Sequence, residues 1–141
     1  MAYGLFKHAH VPEMTSALSQ LSGKSAQLTF TPHLIPMTRG ILSTCYVRGS
    51  ATTQQCLELA RKFYANRAFV RVTEKSPHTK WATGTNLVYV SYAADPARNL
   101  IIALGAIDNL GKGAAGQAVQ NANLITGQPE TAGLEGVALW P

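Results

Sequence analysis

The residues best suited to chemistry fall in three short segments. The first is His8-Ala9-His10-Val11-Pro12-Glu13, where two imidazoles and a carboxylate meet at the start of an expected helix. Imidazole titrates closest to neutral pH, so a histidine there can move a proton in a transition state. Two solvated histidines ahead of a helix cap give the same pattern, and H-x-H alone does not separate the two. A metal site needs a third ligand at suitable spacing; no local residue offers one, so no metal is expected. The second segment is Thr31-Pro32-His33-Leu34-Ile35-Pro36-Met37-Thr38-Arg39-Gly40. Its two prolines stiffen a segment that presents His33 and Arg39 ahead of a strand. A guanidinium binds carboxylate or phosphate through two parallel hydrogen bonds, although a surface loop with one solvated arginine would look alike. The third is Gly111-Lys112-Gly113-Ala114-Ala115-Gly116-Gln117, with GxGxxG spacing between a strand and a helix. That is the outward form of a dinucleotide fingerprint. A dinucleotide unit needs a second parallel strand after the helix, with an acid at its end. After Ile125 only a polar stretch broken by Gly and Pro remains, so the small residues are expected to permit close packing. Gln117, Gln120, Asn121 and Asn123 form an amide-rich side that would face a ligand or a second domain.

The elements that must position these segments follow from periodicity and punctuation. Pro12 to Leu21 reads as a helix, with Pro12 at its first position, Met14, Ala17, Leu18 and Leu21 on one apolar face, and Gly23 as the cap beyond it. Gln27 to Phe30 alternates and reads as a strand, and Gly40 to Val47 as a second. Thr52 and Gln55 have the spacing of a capping box for a helix reaching Tyr64, with Leu57, Ala60 and Tyr64 on one side. Phe69 to Val72 is a short strand, and Glu74 to Asn86 a polar loop. Leu87 to Ala93 and Leu100 to Ile107 are apolar strands joined by a hairpin at Asp95 to Asn99. Ala114 to Ile125 reads as a helix with Ala115, Ala118, Val119, Ala122 and Ile125 inward, and Thr131 to Pro141 as an irregular tail. The class expected is α+β: an antiparallel or mixed sheet with helices mainly on one face.

Composition narrows the partners. The 141 residues suffice for one domain, and 46% are hydrophobic. Only 13% are charged, against roughly 25% in an average soluble domain, so part of the surface needs cover by another subunit or domain. The net charge of +5 favours anions. Arg61, Lys62 and Arg67 are the densest basic group, with no stripe of stacking aromatics, so no nucleic acid is expected. No apolar run approaches the ~20 residues that span a bilayer, and the first residues lack a signal-peptide layout, so the expected location is the cytoplasm, without membrane attachment. Cys45 and Cys56 form neither CxxC nor a zinc spacing; two buried, reduced thiols are favoured over a disulfide.

Taken in order, H-x-H-x-P-E, F-T-P-H-L-x-P-M-x-R-G-I, G-K-G-A-A-G-Q-A-V-Q-N and the closing Gly127-Gln128-Pro129-Glu130-Thr131-Ala132-Gly133-Leu134 resemble the N-acetyl-γ-glutamyl-phosphate reductase family. The resemblance runs from about Tyr3 to the end. It implies the C-terminal substrate-binding and subunit-pairing domain of such an enzyme, residues 1–141 as one domain, with a fold like the C-terminal domain of semialdehyde and glyceraldehyde-3-phosphate dehydrogenases. The family's N-terminal NADP-binding domain, and its cysteine in a Pro-Gly-Cys-type turn, have no counterpart in these residues, so Met1 is expected to fall within a longer enzyme and this chain alone to be inactive. The implied reaction converts N-acetyl-glutamyl phosphate to N-acetyl-glutamate semialdehyde with NADPH, through a cysteine thioester and with a histidine as acid–base partner. The implied roles are acid–base catalysis for His10, favoured over His8, and substrate contacts for Arg39 and His33. Glu13 is implied to orient His10 and to belong with the substrate-binding residues. Gln117, with Gly113, would meet the nicotinamide, by similarity to the D-N-L-x-x-G-A-A segment of aspartate-semialdehyde dehydrogenases. Ala9 stands where the family usually carries Lys or Arg, which implies a weaker hold on the anionic substrate. A homo-oligomer is implied; a non-catalytic dimerisation module of the same fold is the alternative.

Overall fold

The computed structural model describes residues 1–138, which form two compact units, Met1–Met37 and the residues from Thr38 onward. The first unit contains one helix, α1 (His10–Ser22). It begins two residues ahead of the expected start, so Pro12 is its third residue and not its first. The missing N–H still costs nothing, because the first four N–H groups of a helix have no partner within it. Gly23 closes α1 with a left-handed φ of 67°, as its position predicts. Of the apolar face, Leu18 and Leu21 stay exposed and Met14 is half-buried.

The strand expected at Gln27 to Phe30 is absent. Its alternation is real, since Ala26, Leu28 and Phe30 are half-buried while Gln27 and Thr29 are exposed. Alternation selects a face, but a strand also needs a ladder of hydrogen bonds to a neighbour, and no described residue supplies one. The chain pairs nearby instead, through a bridge between Ala2 and His33. Tyr3 N–H donates to Pro32 O at 3.1 Å and Leu34 N–H to Met1 O at 2.8 Å.

The second unit is a four-stranded mixed sheet. Its elements are β1 (Ile41–Arg48), α2 (Thr53–Phe63), β2 (Val70–Val72), β3 (Val88–Asp95), β4 (Leu100–Ile107) and α3 (Gly116–Ile125). The strands lie in the order β1-β4-β3-β2. β4 is antiparallel to both neighbours, and β2 runs parallel to β3. The α+β expectation therefore holds, with one strand fewer than the sequence suggests. The capping box is present: Gln55 N–H donates to Thr52 Oγ1 at 3.2 Å, and Thr52 N–H to Gln55 Oε1 at 2.8 Å. α2 packs on β3 and β2 through buried Leu57 and Ala60. Burial, and the neighbouring Tyr64, Cys56 and Cys45, push the Tyr92 hydroxyl above its ordinary pKa on this face. The β3–β4 hairpin turns where expected, with Arg98 N–H on Asp95 Oδ1 and Asn99 at a left-handed φ of 50°. Trp81 lies edge-on to Tyr89 at 5.5 Å, and Ala82 and Ala106 are fully buried. β1, an edge strand, is exposed throughout, with Tyr46 71% open.

β4 leads into a widened turn, Gly111–Ala115, whose N–H groups reach back five residues: Gly113 to Asp108 O and Ala115 to Leu110 O. α3 then faces the opposite way from the sequence expectation. Ala115, Ala118, Val119, Ala122 and Ile125 are exposed, while Gly116 and Gln120 are buried. Periodicity fixes which residues share a side, not which side turns inward. The amide side wins because buried donors and acceptors await it. Gln120 Oε1 accepts from Asn86 Nδ2 at 2.9 Å and Lys112 Nζ at 2.6 Å, and Gln120 Nε2 donates to Glu130 Oε1 at 2.7 Å. Asn123 Nδ2 donates to Ala132 O at 2.9 Å. Two of the four amides expected to face a partner are thus turned into their own chain.

Gly116 is required here. A Cβ would stand 2.4 Å from Asn86 Oδ1 and 2.9 Å from Gly111 O. Gly116→Ala is expected to destabilise the protein by about 1–3 kcal/mol, measured as a lower urea midpoint; an unchanged midpoint would count against this packing. Beyond α3 the chain turns at 131–133 and has no regular structure through 138; the rest of the expected tail, 139–141, lies outside the described residues. No helix among the described residues is long and apolar enough to cross a membrane.

Candidate active site

Four of the candidate residues lie in the first unit. His8 is half-buried, its ring packed edge-on to Tyr3 (5.6 Å) and Phe30 (5.1 Å). His10 N–H donates to His8 Nδ1 at 3.3 Å, and the two rings lie 4.9 Å apart. His8 thus spends one ring nitrogen on the backbone. The His10 ring is exposed, at the first residue of α1, and none of its nitrogens is hydrogen-bonded among the described residues. Glu13 sits in the first turn of α1, exposed, without a hydrogen bond to His10. His33 Nδ1 meets Thr31 O at 3.0 Å, which turns its ring back on its own segment.

In the second unit, Arg39 is organised by a residue that the sequence reading did not single out. Asp108, at the end of β4, is fully buried. Arg39 Nε lies 2.9 Å from its Oδ1 and 2.7 Å from its Oδ2. Gly84 N–H donates to Oδ2 at 2.6 Å, and Leu110 and Gly111 N–H to Oδ1 at 2.8 and 3.0 Å. Burial pushes this carboxyl up, but Arg39 and the N–H groups of Gly84, Gly111 and Leu110 outweigh it and hold the pKa at about 2. The only sequence signal was a lone acid where an apolar strand meets a glycine-rich turn.

A pH dependence follows. The folded pKa of Asp108 lies below its ordinary 3.8, so its contribution is fully present above about pH 4 and is lost as pH falls through about 2. The protein should lose about 2 kcal/mol of stability over that interval. Urea unfolding across it should give this slope, flattened in Asp108→Asn; the same slope in both proteins would assign the loss elsewhere.

Gln117 is half-buried at the second position of α3. Its Nε2 donates to Asn121 Oδ1 at 2.9 Å, which leaves the carbonyl oxygen without a donor among the described residues. Gly113 is exposed, and its N–H is committed to Asp108 O, so it offers bare backbone and not a donor. Lys112 Nζ lies 5.6 Å from the centre of the Phe69 ring; burial lowers its pKa, while Glu130 opposes the shift. A cavity of about 160 Å³ lies between Gly84, Asn86, Gly111, Gly116, Gly133 and Gly136. Both cysteines are free, and neither is buried as expected: Cys45 is exposed, because neither face of edge strand β1 is covered, and Cys56 is half-buried. No group of three or more metal-ligating side chains occurs among the described residues.

The mixed α+β sheet agrees with what sequence comparison finds. Residues 1–109 match the family described as semialdehyde dehydrogenase, dimerisation domain, and the chain belongs to that family. It is similar over 99% of its length to proteins named N-acetyl-γ-glutamyl-phosphate reductase: 71% identical to that of Bradyrhizobium sp. (strain ORS 278) and 69% to that of Methylobacterium sp. (strain 4-46). The relative from Moorella thermoacetica is 46% identical over 99% of the chain. The chain spans 43% of the length of the first two relatives and 41% of the third.

Proposed function

We propose that this chain is the substrate-binding and subunit-pairing part of an NADP-dependent N-acetyl-γ-glutamyl-phosphate reductase. The observation that carries the reading is similarity over 99% of the chain to proteins of that name. In this reading a cysteine that neither Cys45 nor Cys56 provides attacks the acyl carbon of N-acetyl-glutamyl phosphate. The carbon–oxygen bond to phosphate breaks, phosphate leaves, and a thioester remains. His10 takes the proton of the thiol, and the imidazolium then steadies negative charge beside it. The exposed ring with free nitrogens favours His10 over His8, whose Nδ1 is engaged. Arg39 binds an oxyanion of the substrate through the nitrogens that Asp108 leaves free. For His33 and Glu13 the family resemblance alone implies substrate contact.

NADPH supplies the hydride that reduces the thioester to N-acetyl-glutamate semialdehyde. Nothing after α3 completes a dinucleotide fold in the described residues, so the fit is to the nicotinamide end alone. The open carbonyl of Gln117 can accept from a carboxamide, and Gly113 lets a ring approach the backbone. The rest of the cofactor would be held by an N-terminal NADP-binding domain. Pairing with a second copy would use the sheet around β1, where Leu42 and Tyr46 are exposed. The setting is the cytoplasm, without membrane or nucleic acid.

The test supplies the full-length protein with N-acetyl-glutamate semialdehyde, NADP and inorganic phosphate. NADPH formation that requires phosphate is expected. A folded, dimeric protein without turnover would instead favour the non-catalytic pairing module, the reading that the family's description as a dimerisation domain keeps in view.

A further inference from the structure

Asp108 has no part in the chemistry above, yet it is the most heavily engaged side chain near Arg39. A fully buried carboxylate persists only where several donors hold it. Here the donors come from distant parts of the chain: Arg39 Nε, the N–H of Gly84, and the N–H groups of Leu110 and Gly111 that begin the widened turn. The next residue adds a second tie to the arginine's segment, since Gly40 N–H donates to Asn109 Oδ1 at 2.7 Å. The arginine side chain remains 36% exposed. Its Nη1 and Nη2 have no hydrogen-bond partner among the described residues. A free arginine must surrender rotamer freedom when it binds an anion. This one is already fixed, with one edge of the guanidinium held and the other open.

We infer that Asp108 is a positioning residue that aims the open edge of Arg39 at an oxyanion of the substrate. Through the N–H groups of Leu110 and Gly111 the same carboxylate also holds the start of the widened turn that bears Gly113. A solvated arginine would bind the same anion less tightly, because it would have to be ordered on each encounter. The inference rests on the reductase reading and names how one of its contacts is built.

The experiment is steady-state kinetics on the full-length protein, comparing wild type with Asp108→Asn, Arg39→Ala, the double variant and Arg39→Lys. A wild type without phosphate-dependent turnover would defeat the reductase reading and is seen before any variant is compared. With turnover present, Asp108→Asn should raise KM for the acyl phosphate about 10-fold or more, the effect of misplacing one charge-assisted contact. It should change kcat by less than about 3-fold. In the Arg39→Ala background the same substitution should add less than about 2-fold, because it acts through the arginine. Multiplying effects, or an unchanged KM in a folded Asp108→Asn protein, would overturn the inference. If Asp108→Asn fails to fold, Arg39→Lys decides: it keeps the charge but not the anchored fork, and a wild-type KM would overturn the claim. Inhibition by inorganic phosphate and by N-acetyl-glutamate identifies the oxyanion. Weaker inhibition by either one in Asp108→Asn supports the inference and names the group, and no change in both contradicts it.

Discussion

Asp108→Ala is expected to lower the stability of the full-length protein by about 3–5 kcal/mol, the range for breaking a buried ion pair from one side. Alanine removes both carboxylate oxygens. Arg39 keeps its charge but loses its only described partner, and the N–H groups of Gly84, Leu110 and Gly111 lose their acceptor together. Water can reach Arg39, which is part-exposed, more readily than the three N–H groups packed around a side chain with no exposure at all. Each unsatisfied buried donor costs about 1–3 kcal/mol, so the N–H groups account for most of the loss. Urea unfolding at neutral pH measures it. A change below about 1 kcal/mol would mean that solvent replaces the carboxylate cheaply and that Asp108 is not the anchor described.

His10→Ala in the full-length protein is expected to lower kcat by about 10²–10⁴-fold, the usual contribution of a positioned acid–base group, with KM for the acyl phosphate changed far less. The substitution removes an exposed ring that holds no other residue in place, so the protein should melt as wild type does. His8→Ala should behave in the opposite sense. His8 packs against Tyr3 and Phe30 and accepts from the His10 N–H, so its loss should show mainly in stability. Turnover that survives His10→Ala and disappears with His8→Ala would exchange the two roles.

How much of this was legible in the sequence depends on what each residue's type can encode. The capping box at Thr52 and Gln55, the left-handed Gly23 and the hairpin at Asp95 to Asn99 are local, and local chemistry fixes them. Gln27 to Phe30 carries a correct alternation of burial, but its lack of a partner depends on where the rest of the chain goes. The periodicity of α3 predicts its apolar side inward, a good rule where nothing polar waits inside. Asn86, Lys112 and Glu130 lie 34, 8 and 10 residues from Gln120 along the chain, and no helical period reveals them. The candidate site divides the same way. Arg39 and the histidines stood out by type and motif, whereas the 69-residue separation of Arg39 and Asp108 hid the pair that holds the arginine.

In the function proposed above, these residues supply the proton-handling and anion-binding part of a reductase but neither its nucleophile nor its nucleotide site. NADPH oxidation with N-acetyl-glutamyl phosphate, followed in parallel for the full-length protein and for residues 1–141 alone, tests it most directly. The account predicts steady turnover by the full-length protein and none by the shorter chain, at any concentration at which that chain is folded. Turnover by the shorter chain that Cys45→Ser or Cys56→Ser abolishes would contradict it, because the nucleophile would then be one of these two thiols.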